Sequence, residues 1–181
     1  MRRLIVSNLM SLDGFFEGPK KNIDWFKPDE EFFAYAREML AAADTLLFGR
    51  ATYEHMAAYW PSAPPDEIAD KMNNLPKVVV SRTLQKVEWN NSTLLQGDLA
   101  KGITRLKEMS GKDKDIVLLG SSILASSLLQ MGLVDEYRVI LAPVLIRSGT
   151  PLFEGIKQPM TLKLEKTKLL RSGVILLYYQ K

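Results

Sequence analysis

Small, hydroxyl and arginine residues follow three of the apolar runs in this chain. They are Gly49, Arg50 and Thr52 after Phe48, Ser81 and Arg82 after Val80, and Gly120, Ser121 and Ser122 after Leu119. A helix that starts at such a turn offers free backbone N–H groups to a phosphate, and an arginine adds a permanently charged, forked donor. One such turn is weak evidence, whereas three in one sheet predict a ligand that carries more than one phosphate group.

The common phosphate and nucleophile motifs are absent. No two of the 11 glycines are separated by a single residue, which excludes G-x-G-x-x-G, and neither G-x-x-x-x-G-K-[ST] nor G-x-S-x-G occurs. The single histidine, His55, is most simply interpreted as a partly exposed helix position, so a serine–histidine pair is disfavoured. A dinucleotide would have to bind through a different arrangement.

The first loop contains the carboxylate that is best placed to face a cleft. Asp13 stands beside Gly14 at the carboxyl end of the first apolar run, whereas capping and turn roles explain Asp24, Glu30 and Glu31. The same loop is crowded with aromatic residues, which either wall a pocket for a planar ligand or pack beneath the loop. These residues are Phe15, Phe16, Trp25 and Phe26.

The composition excludes several classes of protein and site. With 46% hydrophobic and 25% charged residues, the 181-residue chain is typical of one folded domain, and we expect a single domain over residues 1–181 in the cytosol. No apolar run approaches the roughly 18–20 residues that span a membrane, and the run after Met1 is too short for a signal peptide. The absence of cysteine excludes thiol catalysis and thiolate zinc sites, and a single histidine excludes a metal site with two imidazoles.

The charge pattern argues against nucleic acid as a partner. The net charge is +3, but positive and negative residues are interleaved rather than gathered in a stripe. Arg50, Arg82 and Arg147 are different, because they sit beside turn signals rather than on amphipathic faces.

Strands and helices alternate along most of the chain. Apolar runs predict strands at residues 4–6, 45–48, 77–81, 115–120 and 137–142, and residues 161–170 and 174–179 predict an antiparallel hairpin. Helices are predicted from Pro28-Asp29-Glu30-Glu31, around 53–57, from Asp98 to Gly111, and from Ser121 or Ser122 to Gly132. This order predicts a three-layer α/β fold whose mainly parallel sheet has an antiparallel edge and binds its ligand at the carboxyl ends of the strands.

Three segments, in order along the chain, carry a family resemblance. They are Ser11-Leu12-Asp13-Gly14, residues 43–53 around Gly49-Arg50-Ala51-Thr52, and residues 117–124 with their continuation to Ala142-Pro143-Val144-Leu145. The sequence resembles the dihydrofolate reductase superfamily, most closely the C-terminal reductase domain of the bacterial riboflavin-biosynthesis deaminase–reductase. The resemblance covers essentially the whole chain and implies a stand-alone reductase domain with the dihydrofolate-reductase-like fold.

The resemblance also implies roles for individual residues. Gly49, Arg50 and Thr52 would bind the phosphates of NADPH, Ser81 and Arg82 would lie near its 2′-phosphate, and Gly120, Ser121, Ser122 and Ile123 would hold its pyrophosphate. Asn8, Ser11, Asp13 and Gly14 would line the nicotinamide and substrate end, where Asp13 is the candidate for orienting the substrate or relaying a proton. Glu30 is the acid nearest to the position, at or near Phe33, where dihydrofolate reductase binds the pterin.

The expected activity is NADPH-dependent hydride transfer to a small heterocycle. A ribosylaminopyrimidine, as in 5-amino-6-(5-phosphoribosylamino)uracil reductase, is the leading substrate class that the resemblance implies. The alternatives are a dihydrofolate reductase and a nucleotide-binding module without activity. Residues 174–179 do not alternate between apolar and polar, which favours cover on both faces of that strand, either within the domain's own sheet or by a second chain. The resembled family pairs through its sheets, so the resemblance implies a homodimer.

Overall fold

The computed structural model describes residues 1–109 and 113–181, and ten strands lie within those ranges. They are β1 Leu4–Ser11, β2 Phe15–Glu17, β3 Ala43–Gly49, β4 Lys77–Val80, β5 Ser92–Leu95, β6 Asp115–Leu119, β7 Glu136–Ala142, β8 Thr150–Pro151, β9 Lys163–Leu169 and β10 Ile175–Gln180. Eight of them form one sheet in the order β5-β4-β3-β6-β1-β7-β10-β9, and β2 pairs with β8 separately. Neighbouring strands from β5 to β7 are parallel, so their carboxyl ends share one edge.

Helices cover both faces of this sheet. They are α1 Glu30–Ala42, α2 Arg50–Tyr59, α3 Glu67–Asn74, α4 Leu99–Glu108 and α5 Ser122–Gln130. The first three pack on the face that carries Leu46 and Phe48, and the last two pack on the face that carries Leu47. Because successive strand residues point to opposite faces, the apolar run of β3 serves both cores. The predicted three-layer α/β fold is confirmed.

Aspartate side chains cap three of these helices. A carboxylate oxygen of Asp29, Asp66 and Asp98 accepts the N–H of the residue three positions later, at 2.8, 2.7 and 3.0 Å respectively. Such a bond satisfies one of the free N–H groups at a helix start. The helices α2 and α5 differ, because Gly49 and Ser121 stand at their N-caps and neither makes a side-chain capping bond.

The first strand is longer than its apolar run predicts. It continues through polar residues to Ser11, because Ser7 and Asn8 find partners in the interior. The Ser7 hydroxyl lies 3.3 Å from the Tyr35 hydroxyl, and the Asn8 side-chain oxygen accepts a 2.9 Å hydrogen bond from the Tyr137 hydroxyl. Buried polar groups are tolerated when they are paired in this way.

The predicted antiparallel hairpin is confirmed: β9 pairs with β10, which also pairs antiparallel with β7. β9 starts two residues later and ends one residue earlier than predicted, and β10 is shifted by one residue. The sequence pattern did not predict α3, β5 or the short pair β2–β8. The predicted end of α4 at Gly111 lies outside the described residues. No helix in the described part of the chain is both long and apolar enough to cross a membrane.

Candidate active site

Two helices without side-chain caps begin side by side at the carboxyl edge of the sheet. Since β3 and β6 are neighbouring parallel strands, α2 and α5 start at adjacent positions. A Cβ atom on Gly49 would overlap the Ser121 hydroxyl oxygen and lie 3.0 Å from the Ser121 Cβ, and one on Gly120 would lie 2.9 Å from the Thr52 Cγ2. The two turns therefore touch, and only glycine fits at each point of contact.

The backbone of the second turn is left-handed at two successive residues. Gly120 has φ of 66°, and Ser121 has φ of 54° and ψ of 74°. Serine thus adopts at position 121 the left-handed angles that glycine reaches without a steric penalty. With no side chain capping α2 or α5, the N–H groups at both helix starts are available to an anion, and both helix dipoles favour negative charge there.

The turn after β4 lies one strand further along the same edge. The three turns after β4, β3 and β6 therefore form a row. The Ser81 hydroxyl accepts hydrogen bonds from the N–H groups of Thr83 and Leu84 at 3.2 and 3.0 Å, so it shapes the turn. Arg82 is exposed, and its guanidinium has no ion-pair partner among residues 1–109 and 113–181. The guanidinium of Arg50 lies 3.9 Å from the carboxylate of Glu54, and the side chain of Arg50 is 56% exposed. Neighbouring strands are about 4.8 Å apart, so the row from β4 to β6 spans about 10 Å.

Asp13 joins two loops at the far end of the same edge. Its carboxylate accepts a 2.7 Å hydrogen bond from the Ser11 hydroxyl and bonds from the N–H groups of Ile146 and Arg147 at 3.1 and 2.8 Å. The Ser11 hydroxyl in turn accepts the N–H of Phe15 at 2.9 Å. The bond from Ser11 is the main cause that holds the pKa of Asp13 below its usual value. The lowered pKa favours the ionised carboxylate of Asp13.

The short strand β2 lies across the turn at Gly120. A Cβ atom on that glycine would lie 3.4 Å from Phe16, so the aromatic ring borders the contact between the two turns. Gly14, with φ of 90°, lets the chain reverse before β2, and its carbonyl accepts the N–H of Leu152 at 3.0 Å. Phe26 instead packs edge-to-face on Phe32 of α1, with ring centroids 4.9 Å apart. The pairing of β2 with β8 brings Phe16 to this place, and no local sequence pattern signals it.

Of the site residues predicted from the sequence, Asn8 and Glu30 lie apart from this row, whereas Ile123 lies within it. Asn8 is fully buried against Tyr137, and its amide nitrogen has no partner within the described residues. Glu30 is 79% exposed and pairs with Arg37 at 2.5 Å, and Arg37 also approaches Glu67 of α3. Ile123 is 74% exposed on the first turn of α5, beside the uncapped N–H groups. The roles predicted for Asn8 and Glu30 stay predictions.

The arrangement of the two helix starts suits an anionic ligand. Within residues 1–109 and 113–181, no three histidine, aspartate or glutamate side chains are grouped so that they could hold a metal. Paired helix starts at the switch between neighbouring parallel strands are the phosphate sites of α/β proteins. The fold and the site therefore define an α/β protein in which two adjacent helix starts can receive an anion.

Comparison with known proteins places the chain in a particular family. The model of the RibD C-terminal domain matches residues 2–176, so the chain belongs to that family and is a reductase of the riboflavin-pathway type. It is 33% identical to the uncharacterized protein YyaP of Bacillus subtilis (strain 168), over 98% of this chain and 94% of that protein.

Two solved structures show the same fold. A putative riboflavin biosynthesis protein from Shewanella sp. PV-4 matches with a TM-score of 0.76 and 22% identity over 98% of both chains. Dihydrofolate reductase from Enterococcus faecalis, complexed with NADP(H) and RAB-propyl, matches with a TM-score of 0.63 and 13% identity, over 98% of this chain and 95% of that one. The dihydrofolate-reductase-like fold is therefore confirmed.

Proposed function

We propose that residues 1–181 act as one reductase domain that uses NADPH to reduce a ribosylaminopyrimidine or a similar small heterocycle. The observation that carries this proposal is the contact between the two uncapped helix starts, at Gly49 and Ser121. We infer the cytosol as its compartment, because a chain without cysteine needs no oxidising environment.

The residues present fit the cofactor. The glycines at positions 49 and 120 let the two helix starts lie in direct contact, and Thr52 lies against the second turn. The N–H groups at the starts of α2 and α5 would hold the pyrophosphate. Arg50, at the start of α2, and Arg82, in the turn after β4, would reach the 2′-phosphate that distinguishes NADPH from NADH. When bound, the nicotinamide supplies the hydride.

At the substrate end the protein supplies orientation and shields the reaction from water. Ser11 and Gly14 bound this end, and Phe16 covers the neighbouring turn. We assign Asp13 a positioning role, because its oxygens bind Ser11, Ile146 and Arg147, and its lowered pKa keeps it ionised.

Dihydrofolate remains the alternative substrate because of the structural similarity to dihydrofolate reductase. The geometry of Glu30 disfavours it, since this carboxylate is exposed and paired with Arg37 rather than facing Ser11 and Asp13. The third possibility is a nucleotide-binding module that binds NADPH without turnover.

An assay with two substrates separates these functions. Purified protein should oxidise NADPH when 5-amino-6-(5-phosphoribosylamino)uracil is added. Turnover of dihydrofolate that methotrexate blocks would instead establish the alternative. Tight binding of NADPH with no turnover of either compound would leave only the binding module.

Cofactor preference is tested on the same protein by fluorescence titration. We expect Arg82→Ala to weaken NADPH binding by about tenfold to a hundredfold, the effect of one charge-assisted contact, and to leave NADH binding unchanged. Arg105→Ala, on the exposed surface of α4, is the control and should change neither affinity. Equal losses for NADPH and NADH would contradict the assignment to the 2′-phosphate.

A further inference from the structure

We propose that Arg147 binds an anionic substituent of the substrate, a phosphate ester or a carboxylate. The inference rests on the proposed function, and it adds a residue that determines specificity at the substrate end. It is carried by the position of Arg147, by its backbone conformation and by the absence of a partner for its charge within the described residues.

The position of Arg147 is fixed by Asp13. The carboxylate that follows β1 accepts the N–H of Arg147 at 2.8 Å and the N–H of Ile146 at 3.1 Å. The Ser11 hydroxyl binds the same carboxylate, so the backbone of Arg147 is held against the turn that bounds the substrate end. The side chain of Arg147 therefore starts from this end of the site.

The backbone conformation offers no structural reason for an arginine at this position. Arg147 has φ of 68°, in the left-handed region that glycine adopts without a steric penalty. The residue is exposed, so its side chain does not fill the core. A glycine would satisfy Asp13 equally well through its own N–H group, so the side chain of Arg147 is not needed for the fold.

The charge of Arg147 is not neutralised within the described part of the protein. No carboxylate of residues 1–109 or 113–181 lies within ion-pair distance of its guanidinium, although its own N–H binds Asp13. By contrast Arg171, at the β9–β10 turn on the same edge, pairs with Glu31 at 3.1 Å. An unpaired guanidinium beside a ligand site favours a planar anion, which it binds through two parallel hydrogen bonds.

This anion site is separate from the one proposed for the cofactor. In the sheet order, β4 and β7 are four strand spacings apart, with β3, β6 and β1 between them. At about 4.8 Å per spacing, the ends of β4 and β7 lie about 19 Å from each other. One phosphate group cannot contact both Arg82 and Arg147, so the second arginine serves a different anionic group.

The test uses simple probes on the protein with NADPH present at saturation. Ribose 5-phosphate and p-aminobenzoylglutamate represent the phosphate ester and the carboxylate, and ribose is the uncharged reference. By titration calorimetry, wild-type protein should bind one of the two anions and bind ribose much more weakly. Whichever anion binds identifies the group that the substrate carries.

Arg147→Gly should weaken the binding of that anion by about tenfold to a hundredfold. It should leave the affinity for NADPH unchanged and keep or raise the melting temperature, because glycine suits the backbone better. Arg147→Lys should lose part of the affinity, since an ammonium keeps the charge but not the forked geometry. Arg171→Ala is the matched control on the same edge and should bind the anion as wild type does.

Two outcomes would overturn the inference: a wild-type protein that binds neither anion better than ribose, or an Arg147→Gly variant that binds the anion as tightly as wild type. In either case, normal binding of NADPH would leave the proposed reductase function standing. Failure of wild-type protein to bind NADPH at all would instead overturn the proposed function.

Discussion

At the scale of single residues, Lys77 carries a buried charge far from the proposed site. Its side chain is fully buried at the start of β4, and its ammonium donates to the carbonyl oxygens of Asn73, Leu75 and Asn90 at 2.8–2.9 Å. The same group lies 4.5 Å from the centre of the Trp89 ring. This ammonium thus joins the end of α3 to the segment before β5.

We expect Lys77→Met to lower the free energy of unfolding by about 2–4 kcal/mol, because the substitution leaves three buried carbonyl groups without their donor. Lys101→Met is the control, since that side chain is 87% exposed and should cost little. Urea unfolding of the three proteins measures the difference. A loss as small as that of the control would show that water replaces the ammonium.

The contribution of Lys77 to the free energy of unfolding should increase with pH. Burial lowers the pKa of Lys77 to about 8 from the ordinary value of 10.5. Between these values the unfolded chain holds the proton and the folded chain releases it, so the stability contributed by this residue rises with pH. Relative to Lys77→Met, wild-type protein should therefore gain stability as the pH is raised from 8 to 10.5. A constant difference over this interval would contradict the lowered pKa.

At the scale of elements, the sequence predicts what depends on local pattern. The run Thr45-Leu46-Leu47-Phe48 indicates a buried strand because its residues serve both cores, and Asp29 and Asp98 indicate helix starts because they cap them. The elements that were missed depend on distant partners. The strand β5 has four residues and pairs with β4, and β2 exists only through β8.

In the candidate site too, only the residues that belong to a local sequence pattern could be predicted. Small and hydroxyl residues at the ends of strands indicate turns that can bind anions, so the sequence alone could predict Gly49, Thr52, Gly120 and Ser121. The structure brings these residues into contact. The oxygens of Asp13 are bound by amides 133 and 134 positions later in the chain, and no local pattern reports such a contact.

A pair of substitutions, at Gly49 and Ser121, tests the contact between the two turns. Gly49→Ala should weaken NADPH binding at least tenfold, because the new methyl group overlaps the Ser121 side chain and pushes α2 and α5 apart. Adding Ser121→Gly to this variant should restore binding, since the next neighbour, the Leu124 Cβ, lies at an ordinary 3.8 Å.

Fluorescence titration of NADPH into the single and double variants measures the effect, with Ser121→Gly alone as the control. Circular dichroism establishes that each variant is folded. If the double variant binds no better than Gly49→Ala, the contact between the turns is not what Gly49 provides.

At the scale of the whole molecule, one flank of the sheet is incompletely covered. In β10 only Leu176 is buried, and four of its other residues are half-buried. The edge strand β9 is exposed along nearly its whole length, including Leu169 at 71% and Leu164 at 47%. Exposed apolar residues on an edge strand are where a second chain can pair. The predicted homodimer would cover this flank.

Sedimentation at micromolar concentration tests this assembly. We expect wild-type protein to sediment with twice the monomer mass of 20.5 kDa. Leu169→Lys should shift it to the monomer, because the burial of an unpaired ammonium between two strands costs several kcal/mol. Tyr59→Lys is the matched control, since Tyr59 is 57% exposed at the end of α2, which packs on β3 and β4 at the other side of the sheet, and should leave the dimer intact. A wild-type monomer would contradict the homodimer, and a dimer that survives Leu169→Lys would place the interface on another surface.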